Sequence, residues 1–397
     1  MSYISDRVKK VKPSVTLAIT AKAKALKSEG LDIIGFGAGE PDFDTPDNIK
    51  TAAMEAIRSG FTKYTAVGGI DELKGAIAAQ LKAENSLDYD LSEVFISCGA
   101  KHTLYNLFQA TLNPGDEVII PAPYWVSYPD MVLLAEGVPV IVQCTEAGGF
   151  KMTADQFASA ITEKTKAVII NSPSNPTGAA YSPEELKELA EVAVQRGILV
   201  ISDEIYNKIT YNGFKAESIA SVSDEVKKIT VLVNGVSKAY SMTGWRIGFA
   251  AGDAEIIKAM NKIQGQSTSN PSSISQMAAL EAYRGDQACV SDMLVHFEER
   301  KNFIVERLNA MDGVTCFDPQ GAFYVFPNIS SFFGKKVGNR IIKGSVDLTD
   351  YLLDDAKVAV VPGEAFGAEG YIRLSYATSM DNIKKGLERI EKALKNL

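Results

Sequence analysis

Histidine is nearly missing from this chain: only His102 and His296 occur among 397 residues. A His-rich metal centre is therefore excluded, and a Ser-His-Asp triad has very few ways to form. Cysteine is sparse as well. Cys98, Cys144, Cys289 and Cys316 lie far apart and form no Cys-x-x-Cys pair, which favours free thiols in a reducing compartment over a disulfide framework or a zinc site. No apolar run approaches the roughly 18 residues needed to span a bilayer, and the opening MSYISDRVKKVKPSV lacks the apolar core of a signal peptide. A cytoplasmic location is the expectation. Positive charge is not in surplus either: 41 Lys and Arg stand against 49 Asp and Glu, a net charge of −8. Neither nucleic acid nor an anionic membrane is an expected partner.

What is present is the composition of an ordinary folded protein, 46% hydrophobic and 23% charged. At roughly 100–200 residues per domain, the length allows two domains. No repeat, low-complexity tract or flexible linker marks a boundary. Short runs rich in Val and Ile recur instead: Val94–Ser97, Val118–Ile120, Val138–Val142, Ala167–Ile170, Ile198–Ile201 and Ile229–Val233. Such continuous runs fit strands buried on both faces. Helical patterns separate several of them. The clearest starts at Ser182-Pro183-Glu184-Glu185, a capping box with Pro at the first helical position, and closes at Gly197. Alternation of this kind predicts an α/β domain with a mainly parallel sheet. After about residue 290 the texture changes to a long polar helix, short strands near Ala322–Phe326 and Tyr371–Leu374, and a last amphipathic helix from Met380, which reads as a smaller α+β domain.

In open α/β sheets, ligands bind beyond the carboxyl ends of the strands, and those ends are chemically loaded here. Cys98-Gly99-Ala100-Lys101 after the first run suits a phosphate at a helix N-terminus, although such a turn alone is more often a plain turn. Tyr124 and Trp125 after the second offer a stacking platform, with ordinary loop packing as the alternative. Asn171–Gly178 is a stiff, turn-forming stretch that presents Asn175, and it reads equally as a structural turn. Asp203 and Tyr206 follow the fifth run; Ser237 and Lys238, then Arg246, follow the sixth. A carboxylate at such depth needs a positive partner, so Asp203 and Lys238 could also be a simple buried ion pair. Taken together, the endings supply a phosphate seat, a stacking ring, donors for a ring hydroxyl, an acid for a protonated ring nitrogen and a lysine for an aldehyde. That joint inventory matches pyridoxal phosphate.

The stretch Gly235-Val236-Ser237-Lys238-Ala239-Tyr240-Ser241-Met242-Thr243-Gly244-Trp245-Arg246 resembles the attachment-site motif of class I aminotransferases. The likeness extends through Gly37–Phe43, Lys63-Tyr64, Asn171–Gly178, Ser202–Tyr206 and Tyr371–Ala377. It implies fold type I of the pyridoxal-phosphate enzymes: a large domain, residues 47–289, with a mainly parallel seven-stranded sheet flanked by helices, and a small α+β domain from both chain ends, residues 1–46 and 290–397. The same likeness implies that Lys238 is the catalytic, cofactor-bearing lysine and that Asp203 pairs with the ring nitrogen. Asn175 and Tyr206 would hold the ring hydroxyl, Trp125 would stack, and Gly99, Ala100 and Lys101 with Arg246 would seat the phosphate, joined by Tyr64 of a second subunit in a homodimer; Ser237 would be a further cofactor-binding residue. Arg373 would clamp the substrate α-carboxylate, with Gly39, Trp125 and Asn175 against the substrate.

Many aspartate aminotransferases hold the distal carboxylate with an Arg in the region corresponding to Gln266–Pro271, and this chain has none there. It is more similar to a bacterial subgroup that uses a Lys at the Lys101 position with Thr16 nearby, some of whose members also accept prephenate through a Lys at the position of Lys12. Expected substrates are therefore aspartate or glutamate, 2-oxo acids, and prephenate, in a ping-pong cycle. An alanine or aromatic aminotransferase or a carbon-sulfur lyase fits less well, because Lys101 would face an apolar side chain unpaired. A DNA-binding regulator on the same fold lacks the length and charge. The glycines Gly35, Gly37 and Gly39 precede Glu40-Pro41-Asp42 instead of opening a helix, so the dinucleotide fingerprint lacks its context.

Overall fold

The computed structural model describes residues 3–13 and 15–397. Residues 1, 2 and 14, part of the opening stretch read for a leader, lie outside that range. The central sheet has seven strands: β1 Val94–Ser97, β2 Glu117–Ala122, β3 Val138–Gln143, β4 Thr165–Asn171, β5 Leu199–Asp203, β6 Thr230–Gly235 and β7 Gly248–Ala251. Their spatial order is β1-β7-β6-β5-β4-β2-β3. Pairing is parallel from β3 through β2, β4 and β5 to β6, whereas β7 runs antiparallel to both β6 and β1.

Six of the seven strands are the six apolar runs. The exception is β7, whose Gly-Phe-Ala-Ala is short and poor in β-branched residues. Its small side chains have a packing reason, since a Cβ on Gly248 would fall 2.2 Å from the Ala100 nitrogen. Burial on both faces holds for β1, β5 and β6 but not for β3, where Val138 is 44% and Ile141 37% exposed. That strand ends the sheet and has one neighbour, and Pro139, which cannot donate to a ladder, sits at such an edge without penalty.

The helix Pro183–Arg196 starts as its sequence dictates. Ser182 Oγ accepts the Glu185 N–H, Glu185 Oε2 accepts the Ser182 N–H at 2.7 Å, and Gly197 ends the helix at φ +66°. Leu186, Leu189, Ala190 and Ala193 lie on one face and bury against β4 and β5.

A second core joins Ile34 and Phe36 to residues from Met293 to Leu394. Here Ile34–Gly35 pairs in parallel with Val358–Ala359, and Ile372–Ser375 lies antiparallel between Val361–Pro362 and Tyr324–Val325. The closing helix Met380–Leu394 buries Ile383, Leu387, Ile390 and Leu394. Between the cores runs the 22-residue helix Ala288–Asn309, with Val290 in the sheet's core and Phe297, Ile304 and Leu308 in the other. Among the described residues no helix is long and apolar enough to cross a membrane.

Candidate active site

The carboxyl ends of β4, β5 and β6 and the turn after β1 open into one cavity of about 320 Å3, closed on its far side by Tyr324 and Arg373 of the second core. That volume is at the lower end of small-molecule sites, roughly 300–1,000 Å3. Asp203, the last residue of β5, is buried on its floor. Its Oδ2 accepts the Tyr128 hydroxyl at 2.6 Å and its Oδ1 accepts the Ile205 N–H at 3.3 Å. Burial pushes the carboxyl up to about 6, held back by those two donors and by the Lys238 charge.

Lys238 does not close an ion pair with Asp203. Its Nζ donates to the Gly39 carbonyl at 2.5 Å. Burial first, and the Arg373 charge next, bring the amine down to about 8, so a useful fraction is neutral near physiological pH. The buried acid is thus left facing the cavity without a cation bonded to it.

Beside Lys238 lies a seat for an anion. Gly99 takes φ +93° as N-cap of the helix Ala100–Thr111, a conformation natural to glycine. A Cβ there would fall 2.4 Å from Arg246 Nη2, so the guanidinium can press onto the turn only because the side chain is absent. Arg246 donates to the Thr243 and Cys98 carbonyls at 2.9 and 3.4 Å and has no carboxylate partner among the described residues. Free helix N–H groups beside an unpaired guanidinium suit a phosphate.

Across the cavity Arg373 is 2% exposed. Nη1 donates to Asn175 Oδ1 at 2.9 Å and Nη2 to the Gly37 carbonyl at 2.7 Å, and the guanidinium lies 4.5 Å over the Tyr324 ring. Nε is buried with no hydrogen-bond partner, and no acid pairs with the charge among the described residues. A buried cation in that state calls for an anionic ligand. Tyr206 and Tyr324 share a hydrogen bond at 2.8 Å beside it. Trp125 packs edge-on against Tyr128 at 5.2 Å, and Lys101 Nζ stands 4.9 Å over the Trp125 ring. Lys101 as a residue is exposed, but its amine end leans over the mouth, where lost solvation and then Arg246 repulsion lower its pKa.

Of the residues singled out from sequence, Thr16, Gly39, Ala100, Lys101, Trp125 and Asn175 line the cavity. So do Asp203, Tyr206, Ser237, Lys238, Arg246 and Arg373. Gly99 lies just behind Arg246. Tyr64 is 90% exposed and does not line it. Lys12 lines an adjoining cavity of about 340 Å3 that shares Val126 and Ser127 with the first; its main-chain N–H is held by the Asp130 carboxylate.

The chain also matches the family model described as aminotransferase class I and II, over residues 31–390. The chain belongs to that family. A probable aspartate/prephenate aminotransferase of Rickettsia bellii is 54% identical over the whole of both chains. An aspartate aminotransferase of Bacillus sp. strain YM-2 is 53% identical over 99% of each. The crystal structure of the aspartate aminotransferase from Rhizobium meliloti superposes with a TM-score of 0.97 at 47% identity, covering both chains completely. Class I and II aminotransferases are pyridoxal-phosphate enzymes, and the donor set here fits that group: an unpaired buried acid, a neutralisable lysine and a phosphate seat in one cavity.

Two contributors to this aminotransferase's site carry little or no signal in the sequence. Tyr128, which bonds Asp203, lies three residues after Trp125, one helical turn on, and that spacing is its only signal. Tyr324 falls in a stretch the sequence predicts as strand, but nothing there signals that it reaches this site from the second core.

Proposed function

We propose that this aminotransferase moves the amino group between L-aspartate or L-glutamate and 2-oxo acids such as 2-oxoglutarate and oxaloacetate, with prephenate as a further acceptor. The observation that carries the reading is Arg373, buried with an unsatisfied Nε and no counter-ion among the described residues, in a cavity that a second cation, Lys101, also lines. Two cations suit two carboxylates, and the names of the Rickettsia and Bacillus relatives agree.

In this reading Arg246, Gly99 and Ala100 hold the phosphate of pyridoxal phosphate. Asp203 would pair with the ring nitrogen, Trp125 would stack on the ring, and Asn175 and Tyr206 would hold its hydroxyl. Bound, the cofactor supplies an aldehyde and an electron sink. Arg373 would orient the donor by its α-carboxylate, and Lys238 Nζ would take the α-proton as general base and give it up again as general acid. Lys101 with Thr16 receives the distal carboxylate. For prephenate, the adjoining cavity gives room, and Lys12 supplies a cation for the second carboxylate.

We further read residues 1–46 with 290–397 as a small domain and 47–289 as a large one, and the assembly as a homodimer in which Tyr64 reaches the partner's phosphate. The four free thiols fit a cytoplasmic setting. A yellow absorption band that borohydride bleaches, absent in Lys238→Ala, is the expected mark of cofactor attachment. Rates compared across aspartate, glutamate, alanine and prephenate test the substrate. Lys101→Ser should raise KM for aspartate far more than for alanine; equal effects would remove Lys101 from the side-chain site and favour a neutral or aromatic substrate.

A further inference from the structure

Residues 36–46, of which Gly39 lines the cavity, run past it without forming helix or strand. The stretch is tied to the second core at its start, where Phe36 N–H reaches the Ala359 carbonyl and Ser375 N–H reaches Phe36 O. From Gly37 to Thr45 it makes no further main-chain to main-chain bond among the described residues. Its course therefore depends on side chains. Yet two of its carbonyls meet working residues of the site: Gly37 O accepts from Arg373 and Gly39 O from Lys238.

The far end is pinned to the loop after Lys238. Thr45 Oγ1 donates to the Ser241 carbonyl at 2.7 Å and accepts the Trp245 indole N–H at 2.9 Å, and Thr243 Oγ1 donates to Glu40 Oε2 at 2.9 Å. The middle is held by one charged contact. Arg300, on the helix that joins the two cores, grips both oxygens of Asp42 at 2.7 and 3.1 Å. Its guanidinium lies 5.1 Å over the Phe43 ring and 5.8 Å over Phe297, and the two rings meet edge-on at 5.5 Å. The Arg300 side chain is 10% exposed and that of Asp42 29%. A bidentate, largely desolvated pair fixes orientation as well as distance. Lysine, a point charge on a flexible stem, would not.

We propose that Arg300 and Asp42 are positioning residues: their ion pair sets the strap 37–45 on the joining helix and so holds the Gly37 and Gly39 carbonyls where they orient Arg373 and Lys238. The inference rests on the assignment of those two residues to substrate and proton transfer. Neither Arg300 nor Asp42 lines the cavity, so their effect reaches the substrate only through the strap. Loss of the pair leaves the strap's middle without a charged anchor, and both carbonyls shift together.

The test uses the cofactor-loaded enzyme and the variants Arg300→Gln, Arg300→Lys, Asp42→Asn and the double variant. The probe is succinate, a non-reacting dicarboxylate whose binding is read from the cofactor's absorption. Arg300→Gln and Asp42→Asn are each expected to weaken succinate and to lower kcat/KM for aspartate by roughly 10- to 100-fold, the scale of a displaced reacting group. The double variant should be no worse than either single change. Arg300→Lys should recover only part of the loss. A shift of the absorption band's pH midpoint, reporting Lys238, should accompany it. Wild-type succinate affinity and an unmoved midpoint in folded Arg300→Gln or Asp42→Asn, with only the melting temperature lowered, would overturn the proposal. Should Arg300→Gln not fold, Asp42→Asn breaks the same ion pair from its more exposed side and decides the question by the same two readouts. A wild-type enzyme that shows no band would instead overturn the assignment of the site itself.

Discussion

The floor and the rim of the cavity are built on different physical terms. The floor stands at the ends of strands locked by main-chain ladders: Asn171 pairs with Asp203 across β4 and β5, and Asp203 with Val233 across β5 and β6. A residue there is placed by register, and a one-residue slip would turn it to the wrong face. The rim is assembled from chain segments far apart in sequence, Thr16, Gly39, Lys101, Tyr324 and Arg373; Tyr324 and Arg373 sit on paired strands of the second core, whereas the stretch through Gly39 has no ladder of its own. In the proposed reading, the floor would hold the cofactor and carry the proton chemistry, and the rim would hold the substrate's carboxylates. Changes at the rim should therefore act on substrate, and changes at the floor on cofactor and proton.

Arg373→Lys gives the largest expected break. It removes a buried bidentate donor, and kcat/KM for aspartate should fall about 100- to 1,000-fold, the equivalent of roughly 3–4 kcal/mol, with the cofactor's affinity within about twofold of wild type. Equal loss of cofactor affinity, measured by equilibrium dialysis, would erase the distinction between floor and rim.

Behind the floor, Glu204 is buried and bonded by the Ser202 and Ser218 hydroxyls. Burial pushes it up to about 7, from 4.5 for the free side chain. Folding then binds a proton between pH 4.5 and 7, so the wild type loses stability as pH rises through that window. Glu204→Gln removes that loss. Its stability relative to wild type should grow by on the order of 3 kcal/mol from pH 4.5 to 7, read from urea unfolding of the cofactor-free protein at several pH values. A constant difference would mean that Glu204 titrates normally.

The smallest effect is expected at Tyr128→Phe, which deletes one donor to Asp203 and leaves the Ile205 N–H. The Asp203 carboxyl should rise further above about 6, and turnover should fall about tenfold, a charged hydrogen bond being worth roughly 1.5–3 kcal/mol. The acid limb of the pH-rate profile should move upward while KM for aspartate holds. A change in KM with an unmoved acid limb would assign Tyr128 to the rim.

The same division governs what is legible in the sequence. Six floor strands are visible because each is a run of β-branched residues ended by a turn; Asp203 ends one of them, and Lys238 and then Arg246 stand on the loop after another. Strand β7 is not, since Gly-Phe-Ala-Ala signals packing room and not strand. At the rim, Arg373 and Gly39 stand out only through resemblance to a family. Nothing local announces that Tyr324 meets Tyr206, that the Gly39 carbonyl receives Lys238, or that Arg300 grips Asp42 across 258 positions. Lys12 shows the limit most plainly: its charge is evident, but nothing local announces that it lines the adjoining cavity beside Asp130.

By itself the sequence determined the alternation of strand and helix, the capping of its helices and the identity of the groups at the strand ends, because hydrophobic period and turn chemistry act over a few residues. Only the tertiary structure decided which of those groups face one another, which charges stay unpaired and how far their pKa values move, because desolvation and long-range contact exist only once the two cores have closed around the cavity.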